Sequence, residues 1–484
     1  MSSNSLIAGI DVGTSAVKVL CIDRDGTTAT VRVPYDSGSD TRAWFEVIKK
    51  CFAELSRSVE LKRIEAVAMA CQVNTYILFD GKKADDELVV LDWSTGEGQE
   101  QLEDIKRRFS TDYFLRHISM PHPDMISYPL PRLAFLRESF SDEWEQTQKI
   151  LQPKDYLYYR LTGVFASDVF TWRGLSNIED SCFHEQLLKD NNIPAEYLPE
   201  LYSPFSSAGS LSQSAAEELR LPAGIEVYLG CNDFFAGLLG MGVTGPGQYF
   251  DVTGTSEHVG MICDKVLADS ELVSGPYFNG FVEYGVTSGS GVSLEWGRRM
   301  FGDPTIDATN QVSAPIFLPY LKGERAPIWD SKARGVFFGL DLRDERKSMS
   351  YAVREGVVFG LYDIFRKLGF AGDISHKTIR TGGAAAQDNS LTQLKADVFG
   401  MPFEVVKQKE STALGAAMIA AIGKGWYSDI HEAAEALADI DKHIKPNPAK
   451  ADTLKKRFEI YEQLYPALRD VFHRSEGITE TQGE

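Results

Sequence analysis

Two stretches of the chain share one alternation of apolar and polar positions. Leu6-Ile-Ala-Gly-Ile-Asp-Val-Gly-Thr-Ser-Ala-Val-Lys-Val-Leu-Cys-Ile-Asp23 reads as two apolar strands joined by a turn of Gly13, Thr14 and Ser15, with the next turn at Asp23 to Gly26. Tyr249-Phe-Asp-Val-Thr-Gly-Thr-Ser-Glu-His-Val-Gly-Met-Ile-Cys-Asp264 repeats the layout, with one extra residue before its glycine. Gly13 and Gly254 lie half a chain length apart in a sequence of 484 residues. A duplicated domain opening twice on the same hairpin is the expectation, with a chance likeness between two unrelated hairpins as the alternative.

Between the hairpins, periodicity predicts helices over Trp44 to Leu55 and Gly98 to Phe109, strands over Glu65 to Ala70 and Leu88 to Leu91, and a short helix around Ala215 to Leu219. A strand from Gly224 to Gly230 leads into the apolar, glycine-rich segment Cys231 to Gly242. The turn cluster Val243-Thr-Gly-Pro-Gly247 marks the domain boundary, dividing the chain into 1–243 and 244–484. In the second half, strand Lys377 to Thr381 runs into Gly382 and Gly383, followed by helix Asn389 to Phe399, strand Phe403 to Lys407 and helix Ser411 to Ile422. This alternation is α/β. Leu454, Phe458, Tyr461, Leu464, Leu468 and Phe472 predict a helical end, with Ile478 to Glu484 expected to be disordered.

Charge narrows the function. The chain carries 50 Lys+Arg against 69 Asp+Glu, a net charge of −19, with no basic cluster, so nucleic acid is not an expected partner. No membrane partner is expected either: the longest apolar stretch, Ala413 to Ile422, is about half of the ~20 residues that a bilayer needs. The apolar start ends at Asp11 without a basic region before it, unlike a signal peptide. Six cysteines without a CxxC pair suggest neither a disulfide framework nor a zinc site, and a cytoplasmic location is expected.

Neither a Walker A loop nor a strand-linked GxGxxG is present, so nucleotide binding must use other devices. A Gly-Thr-Ser turn presents successive N–H groups and hydroxyls, and two such turns could hold the phosphates of a nucleotide. Asp11, at the end of the first strand, could then hold Mg²⁺ through one carboxylate and water, with Lys18 as a charge partner. Solvated strand-end residues are the plainer reading of both. Gly382-Gly383-Ala384 before a helix suggests a third anion site. Asp233 is a charge inside an apolar segment; it reads either as a helix N-cap or as a general base.

These residues resemble the FGGY family of carbohydrate kinases. Gly9 to Lys18 is similar to the family's first phosphate motif, Lys154-Asp-Tyr-Leu-Tyr-Tyr-Arg-Leu-Thr-Gly163 to its KDYLxxxLTG segment, Phe317 to Asp330 with Ala333 to Leu340 to its C-terminal signature, and Thr381 to Ala384 with Glu410 to Ala417 to its adenosine motif. The resemblance implies two α/β domains of actin-like ATPase (ribonuclease H-like) fold with an interdomain cleft, and transfer of a phosphoryl group from ATP, with Mg²⁺, to a sugar or polyol. It assigns Asp233 as catalytic base and Asp11 to the metal. The nucleotide side takes Gly13, Thr14, Ser15, Lys18, Gly254, Thr255, Gly382, Gly383, Ala384, Gln387 and Ser411. The sugar side takes Gln72, Val73, Asn74, Trp93, Asn232 and Phe234.

The departures concern the sugar. Gln72-Val73-Asn74 stands where xylulose kinases usually carry Gln-Met-His and glycerol kinases Gln-Arg-Glu, and Trp93-Ser-Thr-Gly-Glu97 replaces Trp-x-Asp-x-Arg. Phe234 follows the base where Asn or Gln is usual, which removes a hydrogen bond to a sugar hydroxyl. Asp251, the counterpart of Asp11 in the repeat, is a candidate second carboxylate near the metal, or a charge that makes triphosphate harder to hold. A ketopentose such as xylulose is the expected acceptor; another polyol or a sugar acid of gluconate, erythritol or glycerol type, and a sugar-sensing pseudokinase, are the alternatives. A homodimer is the expectation for assembly.

Overall fold

The first apolar repeat forms the hairpin that its pattern predicts. In the computed structural model, which describes residues 5–35, 41–81, 87–178, 180–268, 270–302, 314–369 and 376–479, strand β1 (Leu6–Val12) returns as antiparallel β2 (Ala16–Asp23), with Asp11 opposite Lys18. β3 (Gly26–Pro34) continues the meander. On the other side of β1 lies β4 (Ile64–Cys71), parallel to it; β5 (Ser207–Ser210) and β6 (Glu226–Asn232) complete the sheet, β6 parallel to β4 and β5 antiparallel at the edge. β1 is buried along its whole length, as a central strand covered on both faces must be. Helix α1 (Thr41–Leu55) contributes Trp44, Ile48, Cys51 and Phe52 to this core. Helices α2 (Pro129–Ser139), α3 (Pro153–Thr162) and α4 (Asp233–Gly240) belong to the same unit, and α4 follows β6 with no intervening residue.

The second repeat builds a second sheet of the same plan. β7 (Tyr249–Thr253) and β8 (His258–Cys263) form the hairpin and β9 (Gly280–Val286) extends it, while β10 (Ile379–Gly383) and β11 (Phe403–Val406) run parallel on the other side, with antiparallel β12 (Ile440–Ile444) beyond. The order β9-β8-β7-β10-β11-β12 matches β3-β2-β1-β4-β6-β5 strand for strand and in direction. Within these six strands the outermost alone differs in chain order, since β5 precedes its neighbour in the chain and β12 follows it; the second sheet has seven strands in all. Helices α5 (Ser290–Phe301), α6 (Arg346–Lys367) and α7 (Asn389–Phe399) cover this sheet's core with residues such as Val353, Val357, Ile364, Leu391 and Phe399. The duplicated plan agrees with the actin-like reading.

The chain then comes back to the first unit. Helix α8 (Ser411–Gly423) is buried from Ala413 to Ala421 and lies against β1 and α4, so close that a Cβ on Gly9 would stand 2.0 Å from the Ala413 carbonyl and one on Gly415 1.8 Å from that of Ala236. Contact at that range needs small residues, which explains the Ala/Gly content of the stretch. Glu410–Asp439 and Gly275–Phe278 therefore cluster with Met1–Thr244, although a cut at 243/244 puts them in the second half. The last helix, α9 (Pro448–Thr479), packs Phe458, Tyr461, Leu464 and Phe472 against Leu318, Tyr320 and Phe359 of the second unit. It runs through Ile478 and Thr479, which corrects the expected start of disorder; 480–484 lie outside the described residues. No helix among the described residues is long and apolar enough to cross a membrane, and all six cysteines are free.

Candidate active site

The first hairpin leaves its turn open to solvent. Thr14 and Ser15 are exposed, while Asp11, at the buried end of β1, accepts a 2.8 Å ion pair from Lys18 Nζ across the hairpin. Burial raises the Asp11 carboxyl and Lys18 opposes that rise; burial also works against the Lys18 ammonium, but Asp11 outweighs it and Lys18 stays raised. Thr14 Oγ1 donates to Gln72 Oε1 (2.9 Å), so Gln72, assigned to the sugar by resemblance, is bonded to the Gly13–Ser15 turn.

Asp233 stands at the first position of α4. The residue that caps this helix is Asn232, whose Oδ1 accepts from Phe235 N (2.8 Å) while its Nδ2 donates to Phe170 O (3.1 Å). Both ends of that amide are engaged, so Asn232 caps the helix and positions its neighbour. It also removes the N-cap reading of Asp233. The Asp233 carboxyl is partly buried and pushed up to about 7, first by burial and then by the charge of Asp11, with the Phe234 N–H and Lys18 pulling the other way. A carboxylate tuned to neutral pH is suited to take a proton from a hydroxyl. Close packing fixes its helix: a Cβ on Gly240 would stand 1.9 Å from Ser411 O, which also places Ser411 in the first unit, at the start of α8.

Of the sugar-side residues, Gln72 to Asn74 and Trp93 sit on loops held by buried polar groups. Asn74 adopts φ +67°, a left-handed backbone costly for most residues, and its N–H donates to Gln152 Oε1 (2.8 Å). Gln152 is fixed in turn by a bond from its N–H to Asp155 Oδ2 (3.0 Å) and by one from its Nε2 to Thr171 O (2.9 Å). The Lys154-Asp155 motif thus acts as scaffold, with Lys154 Nζ 3.0 Å from Asp168 Oδ2 inside the protein. Trp93 is 37% exposed, and its loop hangs on Arg132 of α2, which donates to Trp93 O (3.2 Å), Thr95 Oγ1 (2.9 Å) and Thr95 O (2.7 Å) and lies 3.6 Å from Glu97. A guanidinium from another element thus serves the segment whose own Asp and Arg are replaced. Sequence reading missed Arg132 and Gln152, because neither lies in a turn or a charged pattern. Phe234 is partly buried beside Phe235, their rings 5.8 Å apart, and Val73 is partly buried as well.

In the second unit, Gly254 and Thr255 are exposed at the turn tip, like Thr14. Beneath them Asp251 is buried, with Oδ2 bonded to Lys395 Nζ (2.7 Å) and Thr381 Oγ1 (2.8 Å). An ammonium and a hydroxyl thus occupy Oδ2, which favours a structural role over the reading as a second metal carboxylate. Arg325, inside the quoted signature but not singled out, donates from Nη2 to Ser256 Oγ (2.6 Å) and Thr287 O (2.7 Å) and brings a cation to this turn. Gly383 has φ +95°, and a Cβ there would stand 2.2 Å from Thr253 O. The Gly382-Gly383-Ala384 turn does not open directly on an α-helix: Ala385–Gln387 form a short 3-10 turn whose Ala385 and Ala386 N–H groups bond Thr253 Oγ1, and α7 is capped by Asp388. Backbone approach at the glycines, rather than a free helix N-terminus, is what Gly382 to Gln387 offer.

For Mg²⁺ the donor set is small. Among the described residues no group of three or more His, Cys, Asp or Glu side chains forms a cage. Mg²⁺ keeps most of its waters and takes one or two carboxylates beside phosphate oxygens, so a single Asp11 with a nearby phosphate turn fits it.

Residues 6–240 match the N-terminal domain and residues 251–423 the C-terminal domain of the FGGY family of carbohydrate kinases. The xylulose kinase of Staphylococcus epidermidis is 28% identical over 96% of this chain and 97% of its own. Among solved structures, a ligand-bound xylulose kinase from Lactobacillus acidophilus superposes with a TM-score of 0.86 at 26% identity, covering 97% of this chain and 99% of that one. A gluconate kinase from the same species gives 0.84 at 26% identity, with the same coverage. With both domains matched in order, and the paired hairpins and Asp233 in place, the chain belongs to the FGGY family of carbohydrate kinases.

Proposed function

We propose that this chain transfers the γ-phosphoryl group of ATP to a hydroxyl of a ketopentose such as xylulose. Asp233 carries the reading: its carboxyl is raised to about 7 in a site it shares electrostatically with Asp11. As the acceptor hydroxyl oxygen bonds to the γ-phosphorus, Asp233 takes the hydroxyl proton, the bond from phosphorus to the β–γ bridging oxygen breaks, and ADP leaves. Gly13 to Ser15 and Gly254 to Thr255 would bind phosphate oxygens through N–H and hydroxyl groups, with Lys18 and Arg325 as cations, and Gly382, Gly383, Ala384, Gln387 and Ser411 would hold the rest of the nucleotide. Asp11 would hold Mg²⁺, which offsets phosphate charge when bound. Such a transfer rests on positioning and electrostatics, and a base of this kind is worth about 10²–10⁴ in rate.

Gln72, Val73, Asn74, Trp93 and Phe234 would form the acceptor side, and the likeness to a gluconate kinase, at the same identity and a TM-score of 0.84, keeps a sugar acid as the second acceptor class. Asp11 and Asp233 are both present, which does not favour a binding-only protein. A cytoplasmic setting fits the free cysteines. The test is ADP release against a panel of ketoses, polyols and sugar acids: the ketopentose should give the highest kcat/KM, and a sugar acid ahead of it would change the acceptor. An Asp233→Ala variant that keeps full sugar-dependent turnover would remove the mechanism.

A further inference from the structure

The second hairpin is held by a charge cluster that neither the motif pattern nor the reaction requires. Lys395, on α7, is about 1% exposed, and its Nζ contacts Asp251 Oδ2 at 2.7 Å and Glu257 Oε1. Asp251 lies on β7, just before the Gly254-Thr255-Ser256 turn; Glu257 lies just after it, so one ammonium grips both legs of the turn. Further bonds tie the same legs to the neighbouring segments. Thr381 Oγ1, two residues before Gly383, donates to Asp251 Oδ2 at 2.8 Å. Ser290 Oγ, at the start of α5, donates to Glu257 Oε2, and Gly291 N donates to Thr255 O at 3.1 Å. Glu257 N donates to Thr287 Oγ1 at 3.2 Å.

We propose that Lys395 is a positioning residue for the nucleotide phosphates: through Asp251 and Glu257 it fixes the shape of the Gly254–Ser256 turn and thereby the affinity for ATP, without touching the nucleotide. Burying three ionisable groups is a poor way to gain stability, because well-packed apolar residues of similar size do as well or better. What such a cluster supplies is one geometry. A turn that binds phosphate through N–H groups needs that geometry set before the ligand arrives, since a misplacement of about 1 Å can cost on the order of 10²-fold.

The cluster also carries a charge argument. Two carboxyls share one ammonium, so with all three ionised the cluster holds an uncompensated negative charge beneath a phosphate site. Burial pushes the Glu257 carboxyl up, Lys395 pulls it down and Asp251 raises it again. The groups facing it are Lys395 from α7, Asp251 from β7 and the Ser290 hydroxyl from α5, with Arg325 close by on Ser256. Loss of the Glu257 proton as pH rises should therefore weaken ATP binding.

The inference rests on reading Gly254–Ser256 as a phosphate turn, and the experiment separates the two. Steady-state KM values for ATP and for the sugar are measured in wild type, Thr255→Ala, Glu257→Gln and the neutral triple variant Asp251→Asn/Glu257→Gln/Lys395→Met, alongside melting curves. The triple variant removes all three charges together, so that folding survives. It should raise KM for ATP by about tenfold or more while leaving KM for the sugar within about twofold. Wild type should show a rise in KM for ATP from neutral to alkaline pH, and Glu257→Gln should abolish it. If Thr255→Ala weakens ATP binding and the triple variant does not, the role of Lys395 is refuted and the phosphate turn stands. If Thr255→Ala leaves KM for ATP unchanged, the phosphate-turn reading falls and the inference with it. Equal changes in both KM values together with a lowered melting temperature would reduce the cluster to a folding element. In that event a wild-type pH dependence in Glu257→Gln also counts against the proposal.

Discussion

The two Gly-Thr-Ser hairpins share strands, direction and turn, yet they handle the same aspartate in opposite ways. In the first, Asp11 meets Lys18 on the facing strand, and that lysine side chain remains 18% exposed. In the second, the facing position is Val259, and Asp251 takes its cation from a helix far along the chain, with both partners at 1% exposure. A charge at the rim can exchange its partner for a metal or a phosphate. A charge sealed beneath the turn can only hold the backbone still. One frame thus carries two settings: the lysine reaches solvent in the first copy and is sealed in the second.

The sharpest test of that difference is stability. Lys395→Met leaves two buried carboxyls with no cation and should lower unfolding free energy by about 3–5 kcal/mol in a denaturant titration. Lys18→Met strands Asp11, itself 6% exposed, but at a hairpin end that reaches solvent through the lysine, and should cost less, about 1–3 kcal/mol. Equal losses would erase the contrast. Next in size is rate: Asp11→Asn should lower kcat about 10²–10³-fold, as loss of a preorganised electrostatic group does, with little change in melting. Asp251→Asn should show the reverse pattern, with a lower melting temperature and kcat within a few-fold of wild type.

Glycine substitutions probe the same contrast more gently. An alanine at Gly383 meets Thr253 O at 2.2 Å from a left-handed backbone and should cost about 1–3 kcal/mol. An alanine at Gly13 meets the movable end of Lys18 at 3.1 Å, and the stability cost should stay under about 1 kcal/mol. The smallest effect is a shift in pH dependence. The kcat/KM for the sugar should rise with pH as Asp233 loses its proton, with a midpoint set by a carboxyl at about 7 in the free protein. Because the Asp11 charge raises Asp233 and Lys18 lowers it, Asp11→Asn should move the limb to lower pH and Lys18→Met to higher pH, each by less than about one unit. Asp251→Asn should leave it in place. The same group gives a stability linkage: its raised carboxyl favours the folded state below the ordinary carboxylate range, and that contribution is lost as pH rises through about 7.

Much of the frame was readable because strands buried on both faces write themselves as apolar runs. β1, β2, β7 and β8 fall where the alternation predicts them, as do Asn389–Phe399 and Ser411–Gly423 as helices. What α8 packs against was not readable, since a helix apolar on every side announces burial but not its partner. Lys395 was hidden for a related reason. On α7 it stands four residues after Leu391, on the buried side, and nothing in the pattern shows that a lysine there is sealed in along with Thr392 and Asp397. Asn232 and Asp233 are adjacent polar residues at one helix start, and only the geometry shows which one caps and which is left for chemistry. The Trp93 loop depends on Arg132, more than thirty residues on, a pairing with no local signature.

The return of α8 to the first unit has a consequence for how the chain is made. β1 is among the first segments to leave the ribosome, but Gly9 meets its neighbour Ala413 only after some four-fifths of the chain has been synthesised. Until then the first sheet has an apolar face without its cover, and α4, with the Asp233 at its start, lacks the surface that Gly240 packs on. Closing so long a loop is slow, and a partly covered sheet is prone to aggregate. The competent site is thus assembled late in synthesis, and a fragment ending at Val243 would contain Asp11, Lys18 and Asp233 without the helix that seats them.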